Sequence, residues 1–304
     1  MPAGKWAYNP RMFGFLNVNK PVGPTSHDLV ARLRRSLARG VKVGHAGTLD
    51  PKASGVLVLC VGPATRLSDY VQALPKRYVT TVTLGAFSTT DDQEGELSPT
   101  PDAQAPSAQA VQAVLARFVG EIQQIPPAFS AIHLPTGGRA YRAARAGREI
   151  TLAPRGVVVY AIDLIAYAWP LLTLEIACGS GTYIRSIARD VGAALNVGGY
   201  CSVLTRTQAG PFCLTDAIAP GALDPAVHLL PPQLALPGTP RIPITADQIT
   251  QIAMGRSIPA PDQPPSDGQP FEVALEDPAG HLIALATCHP VAGRIAPSKV
   301  FLSE

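Results

Sequence analysis

The sequence predicts an α+β fold in two parts, a large mixed domain followed by a smaller one. Three observations carry this. The chain has 304 residues and is 46% hydrophobic, enough for one large core and a companion. Segments with two-residue apolar alternation are interleaved with segments of helical period, without the regular strand–helix–strand order of a doubly wound sheet. The proline-rich stretch Pro231–Pro243 reads as a linker that sets off the tail.

Taken in order, Phe13–Val18 predicts a short strand. Asp28–Arg39 predicts an amphipathic helix, because Leu29, Leu33 and Leu37 recur every four residues, with Ser26 placed to cap it and Gly40 beyond its end. The opposite face carries Arg32, Arg35 and Arg39, a ridge suited to phosphates. Gly55–Gly62 is apolar on both faces and predicts a buried strand, whereas Tyr78–Phe87 alternates like a strand with one exposed face. An exposed loop at Leu97–Ser107 leads into a helix over Ser107–Val119, with Val111, Leu115 and Phe118 inward. Strands at Val157–Tyr167, Leu171–Ala177 and Tyr200–Thr207 surround a helix at Tyr183–Leu195. Beyond the linker come a helix at Ala246–Met254, a long loop at Pro259–Pro270, and strands at Phe271–Glu276 and Leu282–Thr287.

Net charge is only +3, but it is unevenly spread. Residues 1–80 hold 12 Lys and Arg against 3 Asp and Glu, and residues 136–215 hold 8 against 4. Residues 81–135 and 216–304 are acidic, with 1 against 6 and 4 against 9. Two basic segments in an otherwise acidic chain suggest a face for a polyanion. The Arg139–Arg148 stretch, with Arg139, Arg142, Arg145 and Arg148, is the second candidate for phosphate contact after the basic helix.

No apolar run is long enough to span a bilayer. The opening residues lack the apolar stretch of a secretory signal. The five cysteines are scattered and form no CxxC pair, so buried thiols in a reducing cytoplasm are expected. No phosphate-binding glycine loop, dinucleotide fingerprint, HExxH or GxSxG occurs. An enzyme built from this chain is therefore expected to need neither cofactor nor metal, and to work with carboxylate, imidazole, phenol and guanidinium groups.

The segment Val43–Leu57, VGHAGTLDPKASGVL, is the most unusual. Its glycines bracket His45, Thr48 and Asp50, and it runs directly into the predicted buried strand. Asp-Pro in a glycine-rich loop is by itself a common turn. Pro51 biases Asp50 toward extended backbone, and Gly47 and Gly55 let main chain approach a ligand closely. That arrangement also suits a carboxylate held at the mouth of a sheet.

The strings NKPVGPTSHDLV, GHAGTLDPKASGVLVLCVGPATRL, KRYVTTVTLG, PPAFSAI and SGTYIRSIARDVG follow one another in this order. Together they resemble the TruB family of tRNA pseudouridine-55 synthases, from about Phe13 to Phe212, and the tail resembles that family's small PUA-type RNA-binding domain. The resemblance implies a pseudouridine synthase fold, a mixed and largely antiparallel sheet with flanking helices, plus a small β-rich PUA-like domain. It implies a catalytic domain over 1–230 with an RNA-binding insertion at about 125–152, a linker at 231–243 and the PUA-like domain at 244–304.

Residue by residue, the resemblance makes Asp50 the catalytic aspartate. Tyr78 matches the tyrosine that stacks on the target base, and Arg185 the arginine that pairs with the catalytic carboxylate. His45 matches the histidine that enters the RNA stack where the target has left, and Tyr183 and Leu204 line the base pocket. Lys20 falls in the first motif as a substrate contact without an assigned step. Two departures are visible: His133 stands where the family has a lysine after PPxFSA, and Leu204-Thr205-Arg206 replaces Leu-Arg-Arg.

Forming pseudouridine breaks a glycosidic bond, turns the uracil and reseals it through C5, with no net redox change or group transfer. The nucleotide must first leave the helix, at a few kilocalories per mole that an inserted side chain and aromatic stacking offset. The implied partner is the T-arm stem-loop of tRNA, with no membrane, guide RNA or second protein, and the implied species is a cytoplasmic monomer. The competing readings are a pseudouridine synthase for another RNA, and a tRNA-folding chaperone for which chemistry is dispensable.

Overall fold

The computed structural model describes residues 12–302 except 131, 133–136, 139, 149, 151 and 262–267. In chain order its elements are β1 (Gly14–Lys20), α1 (Ser26–Ser36), β2 (Val43–Ala46), β3 (Ala53–Val61), α2 (Ser68–Ala73), β4 (Lys76–Leu84), β5 (Ala86–Ser88) and β6 (Leu97–Pro99). There follow α3 (Ala108–Ala116), β7 (Gly120–Gln124), α4 (Ala140–Arg145), β8 (Arg155–Ala168), β9 (Leu171–Cys178), α5 (Ile184–Ala194), β10 (Gly199–Ala209), β11 (Phe212–Cys213) and α6 (Pro225–His228). The tail adds β12 (Arg241–Pro243), α7 (Ala246–Ala253), β13 (Ile258–Pro259), β14 (Phe271–Glu276), β15 (Leu282–His289) and β16 (Arg294–Val300).

The large sheet has nine strands, ordered β1-β3-β10-β4-β9-β8-β7, with β2 beside β3 and β11 beside β10. All its pairings are antiparallel except β3 with β10, where Leu204 sits opposite Ala53 and Arg206 opposite Gly55. The α+β expectation holds, and β3 shows why its sequence is apolar on both faces. Val56, Val58 and Cys60 point into one core cluster with Phe15 and Phe212. Leu57, Leu59 and Val61 point the other way, onto Leu29, Leu33 and Leu37 of the α1 region. A third cluster joins Val82, Leu174 and Ile176 of the sheet to Val111 and Leu115 of α3 and Ile187 and Val191 of α5.

The start of α1 corrects one expectation. Thr25 is the cap: its hydroxyl accepts from the Asp28 amide at 3.1 Å, and the Asp28 carboxylate accepts from the Thr25 amide at 2.8 Å. Ser26 is instead buried, and its hydroxyl bonds both the amide and the carbonyl of Leu49 at 2.9 Å. The residue expected to start the helix therefore fastens the Asp50 loop. The helix also stops at Ser36, with Leu37 extended, so Arg39 lies beyond it.

The supposed linker is not a free tether. Ala235 and Leu236 are 2% and 3% exposed and pack with Phe15, Phe212, Leu285 and Phe301 in one cluster. Arg241–Pro243 is a strand, paired in parallel with β14 at the edge of the five-stranded sheet ordered β12-β14-β15-β16-β13. Proline-rich sequence breaks helices but does not exclude burial of its apolar residues, and here both parts of the chain share a core. The last strand, β16, is absent from the sequence reading because its Pro297 and Lys299 interrupt the alternation.

Candidate active site

The Asp50 loop joins β2 to β3 and is tied at many points. Besides the two Ser26 bonds, the Pro51 carbonyl accepts from the Gly23 amide at 2.8 Å, and the Gly47 carbonyl from Arg206 Nη2 at 2.9 Å. Lys20 is fully buried beneath the loop and donates to the carbonyls of Ala53 at 2.7 Å, Pro21 at 3.0 Å and Pro51 at 3.3 Å. Burial lowers its pKa to about 8, with Asp50 opposing the shift. Lys20 was expected to contact RNA; here its side chain is buried and donates to three carbonyls, which supports the loop.

Arg185 stands at the start of α5 and is 6% exposed, while Asp50 across from it is 40% exposed. Asp50 Oδ2 lies 3.0 Å from Arg185 Nη2, so the carboxylate is half open to solvent and anchored from the protein side. Arg185 Nη1 meets Asp92 Oδ2 at 3.2 Å, and the guanidinium also donates to the carbonyls of Thr90 and Phe129, each at 2.9 Å. One turn along α5, Arg189 bonds Asp91 at 2.9 Å and Asp190 at 2.8 Å. Burial pushes the Asp91 carboxyl upward against the pull of Arg189. Asp91 and Asp92 escaped the sequence reading because an acidic turn is ordinarily a solvated one; the Arg-x-x-x-Arg spacing of α5 was the available signal.

Asp50 and Arg185 form one wall of a cleft of about 310 Å³. Tyr78, Tyr183, Leu204 and Arg206 complete it, so three of the residues expected to hold a base do stand together here. Tyr78, at the start of β4, is 9% exposed, and burial raises its phenol pKa while the neighbouring Arg206 opposes the rise. Tyr183 caps α5, its backbone amide and carbonyl both held by the Gln124 side chain at 2.8 and 3.1 Å. The Arg155 guanidinium lies 4.9 Å from the centre of the Tyr183 ring and bonds the Gly181 carbonyl. Gln124, Arg155 and Lys76 are residues at the site that the sequence reading gave no role, and Arg206 entered it only within Leu204-Thr205-Arg206, since none is unusual in its local context.

His45 lies on the other side of the Asp50–Arg185 pair, in a neighbouring cavity of about 390 Å³ shared with Thr25, His27 and Tyr141. Burial, helped by His27 and Arg206, lowers its pKa, and its Nδ1 is buried without a hydrogen-bond partner. A neutral, partly buried imidazole at a cleft rim is suited to contact a base. Arg142 is exposed on α4, with Nε 3.2 Å from the Tyr141 hydroxyl, and lines neither cavity. His133 and Arg139 lie outside the described residues. Among the described residues no cluster of three or more His, Cys, Asp or Glu side chains is placed to hold a metal.

A largely antiparallel sheet with a cleft across it, and an Asp–Arg pair facing buried tyrosine, defines the pseudouridine synthase class. A sequence profile of the N-terminal domain of TruB family pseudouridylate synthases matches residues 34–184. A tRNA pseudouridine synthase B of Cutibacterium acnes is 43% identical over 286 residues, covering 91% of this chain and 94% of the relative. One of Dehalococcoides mccartyi is 38% identical over 299 residues, covering 96% and 97%. Among solved structures, a Cbf5-Nop10-Gar1 complex aligns with a TM-score of 0.70 at 25% identity, over 97% of this chain and 89% of that one. The chain belongs to the TruB family of pseudouridine synthases.

Proposed function

We propose that this protein isomerises uridine 55 in the T-loop of tRNA to pseudouridine, acting in the cytoplasm as a monomer without a guide RNA or a second protein. The observation that carries this reading is the 3.0 Å Asp50–Arg185 pair, exposed on its carboxylate side and set against a base-sized, tyrosine-walled cleft. The curated relatives named above are called tRNA pseudouridine synthases, which supports tRNA as substrate.

The chemistry follows from the groups present. Contact with Arg185 fixes and aims the Asp50 carboxylate. Breaking the N1–C1′ bond sends its electron pair to the uracil. Asp50 answers at the sugar, either by adding a carboxylate oxygen to the electron-deficient centre or by taking the C2′ proton. Tyr78, Tyr183 and Leu204 confine the detached base while it turns; C5 then gives a pair to C1′, displacing the Asp50 oxygen or with the C2′ proton returned from Asp50, and the C5 proton is lost as N1 gains one. His45 fills the stack the nucleotide has left, which offsets part of the unstacking cost. Arg32, Arg35 and Arg39, exposed around the end of α1, together with Arg142 on the 125–152 insertion, supply phosphate contacts, so binding weakens steeply with salt. Residues 244–304 form the PUA-like RNA-binding part on a catalytic domain of 1–230.

The deciding experiment replaces Asp50 with Asn and measures tritium release from 5-tritiated uridine in unmodified tRNA alongside tRNA binding. Turnover should drop by about 10⁴-fold or more while affinity stays within a few-fold. Intact turnover removes Asp50 from the mechanism, and loss of pseudouridine at a position other than 55 in a deletion strain rejects the assigned target.

A further inference from the structure

Arg206 brings into the cleft a positive charge that no carboxylate answers. Its backbone is the cross-strand partner of Tyr78 on β4 and of Gly55 on β3. Its side chain is 3% exposed, with Nε donating to the Val56 carbonyl at 2.7 Å and Nη2 to the Gly47 carbonyl at 2.9 Å. Among the described residues no ion pair involves it, whereas Arg185 is matched by both Asp50 and Asp92. The charge is felt around the cleft. It contributes to lowering the pKa of Lys20, His45 and Lys76, and it opposes the upward push of burial on Tyr78 and Cys178. Lys76 is the other cation of this wall, but burial brings it down to about 8, while a guanidinium remains charged.

We propose that Arg206 is a positioning residue with two tasks: its tethers hold the Asp50 loop against the Tyr78 wall, and its unpaired charge steadies the uracil once it has left the sugar. This rests on the reaction proposed above. When the N1–C1′ bond breaks, its electron pair stays on N1 and is shared with the carbonyl oxygens of the ring. That negative charge persists until C5 returns a pair to C1′; the C5 proton is then lost as N1 takes one up, which leaves the base neutral. Arg185 is committed to two carboxylates and Arg155 lies over the Tyr183 ring, so on the Tyr78 side of the cleft the cation beside the detached base is Arg206. A charge that develops only after binding is stabilised in kcat and not in affinity.

The test uses the full-length protein with unmodified tRNA, comparing wild type, Arg206→Gln and Arg206→Lys in single-turnover pseudouridine formation and in tRNA binding. Arg206→Gln should slow the chemical step about 100-fold with the Kd for tRNA within about threefold. Arg206→Lys keeps a charge, so it should stay within about tenfold of wild type near neutral pH. A buried lysine loses its proton where arginine does not, so the rate ratio of Arg206→Lys to wild type should fall between about pH 6 and about pH 10. Lys20, His45, Lys76, Tyr78 and Cys178 face residue 206 in both proteins, and the ratio divides out the titration they share. A flat ratio, equal damage from Gln and Lys, or a loss explained by weaker tRNA binding would overturn the charge role. If Arg206→Gln does not fold, the pH ratio of Arg206→Lys decides alone. An inactive wild type would sink the proposed reaction itself, whereas an active wild type with full-speed Arg206→Gln sinks only this inference.

Discussion

The two walls of the cleft handle positive charge in opposite ways. On the α5 wall, Arg185 and Arg189 each meet two carboxylates, one buried and one partly open to solvent, so each cation is matched by opposite charge. On the β4–β10 wall, Lys76 and Arg206 meet no carboxylate among the described residues: the lysine donates to the carbonyls of Gln72 and Leu74, and the arginine to those of Val56 and Gly47 and to the Tyr78 side chain. Carbonyl dipoles offset part of the desolvation of a cation but leave its net charge in place. One wall therefore balances its cations with carboxylates, and the other presents a positive face without a counter-charge to whatever enters. The difference shows that burial and electrostatic neutrality are separate properties of a site.

Four experiments would break or sharpen that contrast. The largest effect is expected at Gly55, which has φ of +100° and whose added Cβ would stand 2.2 Å from the Arg206 carbonyl oxygen. Gly55→Ala should strain the backbone and prise β3 from β10, costing about 3–5 kcal/mol in urea unfolding. A cost under about 1 kcal/mol would mean that the two strands yield easily and that the cationic wall is not rigidly set.

Next, Arg185→Met removes the cation of the matched wall. Asp92, whose side chain is 11% exposed, loses its charged partner, and the half-exposed Asp50 loses its anchor. A stability loss of about 2–3 kcal/mol is expected, below the full penalty for a broken buried pair because Asp50 can still be hydrated. Calorimetry showing an unchanged Tm would remove the matched-charge picture of that wall.

A subtler contrast appears with pH. Lys76 has a folded pKa of about 8 against 10.5 for the free side chain. Between those values the unfolded chain holds a proton that the folded protein has released, so this contribution to stability is present above 10.5 and is lost as pH falls through about 8. Urea midpoints of wild type minus those of Lys76→Met should therefore increase as pH climbs through that window. The similar titration of Lys20 and the opposing shift of Cys60 occur in both proteins and cancel in the difference, whereas Cys178 is coupled to Lys76, so both proteins are compared in a Cys178→Ala background. A pH-independent difference would show that Lys76 is already solvated.

The smallest effect concerns the attachment of the tail. Tyr70 on α2 donates to Glu272 of β14 at 2.7 Å, and α2 runs directly into the segment that carries Lys76. Tyr70→Phe should cost about 1 kcal/mol, measured as a shift in the urea midpoint. No shift at all would leave the attachment to the shared apolar cluster and to the contacts of Arg66 with Val300, Phe301 and Lys299.

The two walls also differ in how far the sequence disclosed them. The Asp50 loop was visible because its glycines, its Asp-Pro step and its long family string are contiguous, and Arg185 came with its own string. The α1 helix was legible from Leu29, Leu33 and Leu37, although its cap was assigned one residue late. Thr25 and Ser26 are both hydroxyl residues, and only the packed loop shows which of them turns toward Leu49. Lys20 looked like a solvated contact because lysine usually is one; three inward carbonyls decide otherwise. Arg206 was noticed only as the remaining basic residue of Leu204-Thr205-Arg206, since nothing local marks it as buried.

By itself the sequence determined the mixed α+β class, the both-faces-apolar β3 strand and the family membership, and it singled out Asp50 as the candidate acid. These are carried by short-range periodicity and by contiguous motifs, which need no knowledge of what folds against what. The tertiary structure alone decided which cations are paired, that the proline-rich stretch is core and strand, and that Arg206 joins Gly47, Val56 and Tyr78. Those outcomes depend on residues far apart in the chain meeting in a low-dielectric interior, where the absence of a counter-charge matters as much as its presence.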